Sequence, residues 1–293
     1  QAVKGVLDYQ YQHRKTVILD ADITNFFGTI DHQKLLQLLG LRIGDKTFLR
    51  YISRMLKSGI MDVQGHRPTH EGVVQGSICS PILANIFAHY AIDRWIYGTV
   101  KRYCPSVELY RYCDDFILCF SSQEEADKVL KVLPLRLARF GLTAHPEKTK
   151  EARLDRQAYQ RGERQETFDF LGFTFYLGRS LKGKVIAKLK TSRKTVRKKL
   201  KNVKQWCKAI RHKPGQLQDN WRALNRKLAG HAQYFGVSHN SPMVRQFVHQ
   251  ARKIFFKWMN RRSDKRSFTW QQFGQFQKLF PGYQYNRVIH SLF

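Results

Sequence analysis

The sequence predicts an α+β layer built on an antiparallel sheet with packed helices, followed by an all-α bundle, and three observations predict it. Strand and helix signals alternate irregularly in the first part and enclose a hairpin signal, unlike the regular rhythm of a parallel doubly wound sheet. The stretch from Arg179 to Lys213 then holds fifteen Lys or Arg and no Asp or Glu, a composition break that sets a boundary near Gly178. Beyond it, apolar residues recur every three or four positions, the period of amphipathic helices. Two domains are expected, 1–178 and 179–293.

The elements follow in order. Thr16 to Ile23 is β-branched and apolar and reads as a strand. Asp31 caps a helix running to Leu39, and a second helix is expected from Pro81 through Tyr97. Leu109 to Cys113 and Phe116 to Phe120 form two apolar arms around Asp114-Asp115, a hairpin signal because Asp tolerates turn geometry. Glu124 to Phe140 is a helix closed by Gly141, and Phe168 to Tyr176 is a last strand. In the second domain Ser192 caps a helix toward Arg211 with Val196, Leu200, Val203 and Cys207 on one stripe. Trp221, Leu224, Leu228 and Phe235 mark the next helix, and Val244, Phe247, Ala251, Ile254, Phe255 and Trp258 the one after. A fourth runs from Thr269 to Leu279 and stops at Pro281-Gly282.

Charge narrows the function. The 293 residues carry a formal charge of +30, with 42% hydrophobic and 13% aromatic residues. That composition belongs to a folded body and not to a disordered basic tail. Like charges repel in a compact state, so an excess of this size implies a polyanionic partner, and nucleic acid fits better than a membrane surface. The five cysteines show no metal-ligand spacing and read as reduced thiols of a cytoplasmic protein. No stretch is long and apolar enough to span a membrane.

The chemistry is carried by acids in apolar surroundings. Along Thr16 to Ile23 a period of two sends Val17, Leu19, Ala21 and Ile23 to one face and Ile18, Asp20 and Asp22 to the other. Asp114 and Asp115 stand at the hairpin tip. Unpaired carboxylates are costly to bury. If the two strands are neighbours, three or four acids converge, a cluster that calls for cations, and oxygen-only ligands suit Mg²⁺, with Mn²⁺ as a substitute. Two such ions can perform phosphoryl transfer, one activating a 3′-hydroxyl and the other steadying pyrophosphate.

Leu19 to Phe27 (LDADITNFF) resembles the first palm motif of reverse transcriptases, and Tyr112 to Asp115 (YCDD) resembles their Tyr-x-Asp-Asp hairpin. Gln75 to Pro81 (QGSICSP), Leu83 to Ile86 (LANI), Glu147 to Thr149 (EKT) and Phe170 to Phe173 (FLGF) are similar to the family's other motifs, in the same order. The LANI stretch and the segment from Leu224-Asn225 to Tyr234 resemble the group II intron type of bacteria, whose thumb is also called the maturase domain. The resemblance implies a polymerase palm over 1–178 and a basic thumb over 179–293.

It further implies an RNA-directed DNA polymerase acting on an RNA template, a DNA or RNA primer and dNTPs, with intron or other structured RNA as a further partner. A non-catalytic maturase or scaffold derived from such an enzyme is the alternative. Carried over residue by residue, Asp22, Asp114 and Asp115 are the catalytic metal ligands, joined by the backbone carbonyl of Ile23. Phe27 lies under the incoming sugar and excludes a 2′-hydroxyl. Gln75 and Gly76 line the nucleotide pocket, Lys148 supports the triphosphate or pyrophosphate, and Leu171-Gly172 form the primer grip.

Arg193, Lys194, Arg197, Lys198, Lys201 and Lys204 on the first thumb helix are expected to hold phosphates of a template-primer duplex. Trp221 and Phe255, on apolar stripes, are expected in the core. Two positions depart from the family pattern: Val74 stands where Pro is usual, and Cys113 where group II enzymes commonly have Ala. About twenty residues precede the first palm motif, so the resemblance implies that the chain is either a fragment or one that takes its fingers from another polypeptide, and weak or absent polymerisation by this chain alone is expected.

Overall fold

The computed structural model describes residues 1–58, 60–62, 65–67, 71–73, 78–145, 149–211, 217–261 and 268–292. They form two compact units, one of Gln1–Leu171 with Tyr176–Ala187, the other of Gly172–Phe175 with Lys188–Phe293.

The first unit opens with helix α1 (Ala2–Gln12), strand β1 (Lys15–Ala21), a 3₁₀ turn (Phe26–Gly28), α2 (His32–Gly40) and α3 (Lys46–Lys57). A short ribbon, β2 (Ile60–Asp62) and β3 (Gly65–Arg67), follows. Helix α4 (Ser80–Ala88) continues through two π segments, His89–Asp93 and Ile96–Val100, into α5 (Lys101–Tyr103). Next come β4 (Glu108–Tyr112), β5 (Asp115–Phe120), α6 (Gln123–Ala138), β6 (Lys150–Asp155) and α7 (Arg156–Gln160). Side-chain caps from Asp31, Asp45 and Asp155 start α2, α3 and α7 by accepting backbone N–H groups the helices leave free.

The central sheet has the order β4–β5–β1–β6, and β1 is antiparallel to both of its neighbours. Its register pairs Val17 with Phe120, Leu19 with Leu118 and Ala21 with Phe116. Those six side chains share one face and are buried with Leu35 and Leu39 of α2, Leu83 and Phe87 of α4 and Val129 and Leu133 of α6. Ile18, Ile117 and Cys119 on the opposite face are buried as well. The α1 helix approaches that face at Tyr110, where a Cβ on Gly5 would lie within 2.4 Å of the tyrosine ring.

Three further strands, β7 (Phe168–Phe170), β8 (Phe173–Arg179) and β9 (Val185–Thr191), form a second sheet in that order. The single strand expected over Phe168–Tyr176 is thus two strands. Leu171 at φ 49° and Gly172 at φ 79° turn the chain between them, the positive φ values a two-residue type I′ hairpin needs. β9 falls inside the basic run. Val185, Ala187 and Leu189 are buried and alternate with partly exposed Ile186, Lys188 and Lys190, a period of two that the accumulation of lysines conceals.

The second unit is the helical part: α8 (Arg193–Ile210), α9 (Leu217–Phe235), α10 (Ser241–Met259) and α11 (Trp270–Leu279). Ser192 caps α8, and Thr269 with Gln272 makes a reciprocal capping box on α11. Trp221, Leu224, Leu228, Phe247, Ala251, Phe255 and Phe273 form its core, and Trp221 donates its indole N–H to the carbonyl of Phe280 at 2.9 Å. No helix among the described residues is long and apolar enough to cross a membrane.

Candidate active site

The carboxylates come together because β1 and β5 are adjacent. Asp20 pairs with Ile117 and Ala21 with Phe116, so the next step of the register sets Asp22, just beyond the end of β1, across from Asp115. The backbone carbonyl of Asp22 accepts the His145 N–H at 2.8 Å, Ile23 bridges Ala144, and the Thr24 N–H reaches Thr143 O at 2.9 Å. These bonds hold the chain past the strand end against the segment leading toward Glu147.

Tyr112 pairs with Asp115, leaving Cys113 and Asp114 as a two-residue turn. Cys113 occupies the left-handed region at φ 57°, which is unfavourable for a side chain with Cβ, so the surroundings must impose it. Arg111 supplies the constraint. Its Nε and Nη2 bond both oxygens of Asp93 at 2.7 Å, and its Nη1 bonds the Cys113 carbonyl at 2.8 Å and Asn85 Oδ1 at 2.9 Å. The guanidinium therefore ties the turn carrying Asp114 to the helical run of α4 to α5. Asn85 belongs to the LANI motif, which carried no residue role in the sequence. Arg111 and Asp93 had no local signal, because their pairing spans 18 residues.

Electrostatics records the crowding. Burial raises the Asp20 carboxyl to about 6, aided by Asp115, Asp22 and Asp169 and opposed by Lys150. Asp115 is raised by desolvation first and then by Asp114 and Asp22, although its side chain reaches solvent. Asp20 and Asp169 of β7 thereby join a field that the motif resemblance confined to Asp22, Asp114 and Asp115.

Phe27 is half-buried in the 3₁₀ turn, edge-on to Phe26 at 5.5 Å between ring centroids. Its carbonyl accepts the Val73 N–H at 2.8 Å, and the Gly72 N–H bonds Ile30 O at 2.8 Å. Gly72 has φ 84°, and a Cβ there would lie within 2.9 Å of Gly28 O, so only glycine fits this approach. The chain is thus drawn beside Phe27 immediately before Val74. Val74, Gln75, Gly76 and Lys148 lie outside the described residues.

Leu171 and Gly172 form the hairpin turn described above. Arg193, Lys194, Arg197, Lys198, Lys201 and Lys204 are all exposed on α8, whereas Trp221 and Phe255 are buried.

The donor set of Asp20, Asp22, Asp114 and Asp115 is all oxygen, the chemistry of a hard divalent cation, and Asp20 and Asp115 are raised first by burial and then by the neighbouring acids. As the side chains stand, no group of three or more His, Cys, Asp or Glu among the described residues closes on one point at ligand distance. The fit to metal therefore rests on donor chemistry and mutual repulsion.

Residues 3–175 match the family model described as reverse transcriptase (RNA-dependent DNA polymerase). Protein YkfC of Escherichia coli strain K12 is 28% identical over a stretch covering 34% of this chain and 33% of that protein. The group II intron-encoded protein LtrA of Lactococcus lactis subsp. cremoris is 36% identical over 78 residues, 27% of this chain and 13% of that protein. The similarity thus spans a third or less of the length of these curated relatives. Among solved structures, apo telomerase from Candida tropicalis aligns with a TM-score of 0.48 at 15% identity, covering 94% of this chain and 47% of that one.

Proposed function

The chain belongs to the reverse transcriptase family, with group II intron-encoded proteins among its relatives, and from that premise we propose that it is an RNA-directed DNA polymerase of the group II intron type. The observation that carries the reading is that Asp22, Asp114 and Asp115 lie near one another at the ends of adjacent strands, with the Asp20 carboxyl raised to about 6 and the Asp115 carboxyl raised as well. A protein that only binds RNA gains nothing from crowding like charges.

Reverse transcriptases use divalent metal ions. We assign two Mg²⁺, replaceable by Mn²⁺, to Asp22, Asp114, Asp115 and the Ile23 carbonyl. Bound there, the ions supply acidity to a primer 3′-hydroxyl and charge neutralisation to the pyrophosphate. The protein's own groups do the rest. Arg111 holds the Cys113 carbonyl and so fixes the turn that carries Asp114, which matters because a displacement of about 1 Å can cost about a hundredfold in rate. Phe27 places its ring beneath the incoming sugar, where a 2′-hydroxyl would have no room. Gln75 and Gly76 line the base and template path, and Lys148 offers its ammonium to the leaving pyrophosphate. The Leu171-Gly172 turn positions the primer terminus.

In this assignment 1–178 act as palm and 179–293 as thumb or maturase domain. Arg193 and Lys194 sit in the first turn of α8, where the helix dipole already presents positive charge. Cations there are locally unfavourable and make sense facing an anion. Together with Arg197, Lys198, Lys201 and Lys204 they would hold the phosphates of an RNA template with its DNA or RNA primer, or of a structured intron RNA. A bacterial cytoplasmic setting completes the proposal.

The test is primer extension with Mg²⁺ and dNTPs on poly(rA)/oligo(dT), with and without a supplied fingers segment, comparing wild type with Asp114→Asn. Extension by wild type alone supports the reading. Extension by the variant at the wild-type rate removes the carboxylates from the chemistry, and no extension by either protein in either arm overturns the polymerase.

A further inference from the structure

A cavity of about 290 Å³ opens in the helical unit between α8, α9 and α10, and its walls are chemically mixed. Lys199 and Asn202 of α8 and Lys227 of α9 provide polar groups, Trp206 and Phe247 provide aromatic ones, and no Asp or Glu lines it. Lys199 is half-buried, its ammonium 4.8 Å above the Phe235 ring and lowered in pKa by desolvation. Lys227 sits 5.2 Å over the Trp206 ring.

His231 forms part of the same wall. It is 4% exposed, its ring lies 3.7 Å from that of Phe247, and both ring nitrogens are buried without a hydrogen-bond partner. Such a group destabilises the fold when left unsatisfied. Gly230 also lines the cavity. A glycine within a helix is less favourable than alanine, yet a Cβ there would meet nothing within 4 Å.

From these observations we propose that the cavity binds one nucleotide of an RNA strand, its phosphate between Lys199 and Lys227 and its base on the Trp206 side, with Phe247 and His231 as the floor beneath it. The volume exceeds that of a phosphate alone and lies at the small end of ligand pockets. Aromatic walls with a cationic rim match the way proteins hold splayed single-stranded bases. The site is distinct from the exposed cations of α8. At about 100° per residue, Lys199 and Trp206 lie on one side of the helix and Arg197, Lys201 and Lys204 on the other. It is also independent of the polymerase reading, because no palm residue takes part.

The experiment uses the full chain carrying Asp114→Asn, in EDTA, so that the palm carboxylates do not contribute. Adenosine 5′-monophosphate, inorganic phosphate and hexaadenylate are titrated separately while the His231 ring-proton resonance, assigned by its loss in His231→Gln, is followed. The adenosine monophosphate should shift that resonance saturably and bind more tightly than inorganic phosphate. Lys199→Gln and Lys227→Gln should each weaken it about tenfold, and Gly230→Leu, which fills open space in a helix and should keep the far-ultraviolet circular dichroism, should abolish it. Hexaadenylate should produce the same shift, and Gly230→Leu should remove it. No shift with adenosine monophosphate, or affinity indifferent to Gly230→Leu and Lys199→Gln, overturns the site. A shift with the mononucleotide but not with the strand overturns its assignment to RNA.

Discussion

The two units carry charge in opposite ways. In the first, a few carboxylates are crowded at the ends of β1 and β5, where burial and mutual repulsion raise Asp20 and Asp115. They are kept there by strand pairing, a left-handed turn residue and a guanidinium brace. In the second, cations stand singly on the exposed side of α8, each in contact with water. Charges of the first kind are positioned at an energetic cost and cannot substitute for one another. Charges of the second kind act through their sum, so losing one leaves the rest working.

The largest test of that contrast is Asp114→Asn. Removing one oxygen of the proposed metal site without changing the basic surface should lower kcat for DNA synthesis by at least about a thousandfold, while affinity for RNA measured by filter binding changes less than about twofold. Loss of RNA binding along with activity would mean that the two units do not divide the work as charge suggests.

On the basic side four changes are needed for a large effect. If Arg197, Lys198, Lys201 and Lys204 each neutralise one phosphate, replacing all four by Gln should flatten the plot of log K against log[salt] by roughly three to four units. The affinity gap from wild type should then close by about a hundredfold between roughly 50 and 200 mM salt. Parallel lines across the salt series would show that these side chains stay hydrated in the complex and move the duplex contact to Arg222, Arg226 or Lys253.

Arg111→Lys sharpens the comparison from within the first unit. Lysine keeps the charge but cannot bond Asp93 through two nitrogens while also holding the Cys113 carbonyl. A fall in kcat of about ten- to fiftyfold with unchanged KM for template is expected. An equal loss in thermal stability and binding would assign Arg111 to folding alone.

His231 tests the second unit by pH. Burial, with Lys199 adding, depresses its pKa to about 3, so the folded state resists a proton that the unfolded state accepts near pH 6.5. Stability contributed by the neutral ring is present above the unfolded value and is lost as pH falls from there toward the folded one. Between about pH 7 and pH 5 this removes about 2 kcal/mol. His231→Phe should flatten that part of the unfolding free-energy curve of the helical unit, and an unchanged slope would place the acid sensitivity elsewhere.

The smallest effect belongs to Phe27→Val. Opening space beside the 2′-position should raise incorporation of rNTP relative to dNTP by about tenfold, a discrimination of the size one steric contact provides. Unaltered selectivity would leave Phe27 as a core residue packed on Phe26.

Most of the helical unit was legible because its signals are local. Cap residues Ser192 and Thr269, the apolar stripes of α8 to α10 and the stop at Pro281-Gly282 need only neighbouring residues to act, and α8 and α11 begin at those caps. In the first unit the strand leading to Asp22, expected over Thr16 to Ile23 and found over Lys15–Ala21, the hairpin around Asp114 and the helix behind Asp31 were equally readable. α1, α3, β6 and β9 were not. α1 and β6 lack a distinctive turn or motif, α3 starts at an Asp45 cap that the sequence reading did not use, and the alternation of β9 is submerged in lysines.

By itself the sequence determined which residue types are available for chemistry and where the chain turns, because periodicity, capping and turn propensity act over a few residues. Only the tertiary structure decided that β1 lies between β5 and β6, which turns separate acids into one field that includes Asp20 and Asp169. It likewise decided that Arg111 grips Asp93, Asn85 and the Cys113 carbonyl together, and that Gly72 brings the chain against Phe27 and Gly28. Apart from the local bond to the Cys113 carbonyl, those contacts join residues 18 to about 150 positions apart in the chain, and what selects them is the joint burial of two apolar sheet faces, a property no single segment possesses.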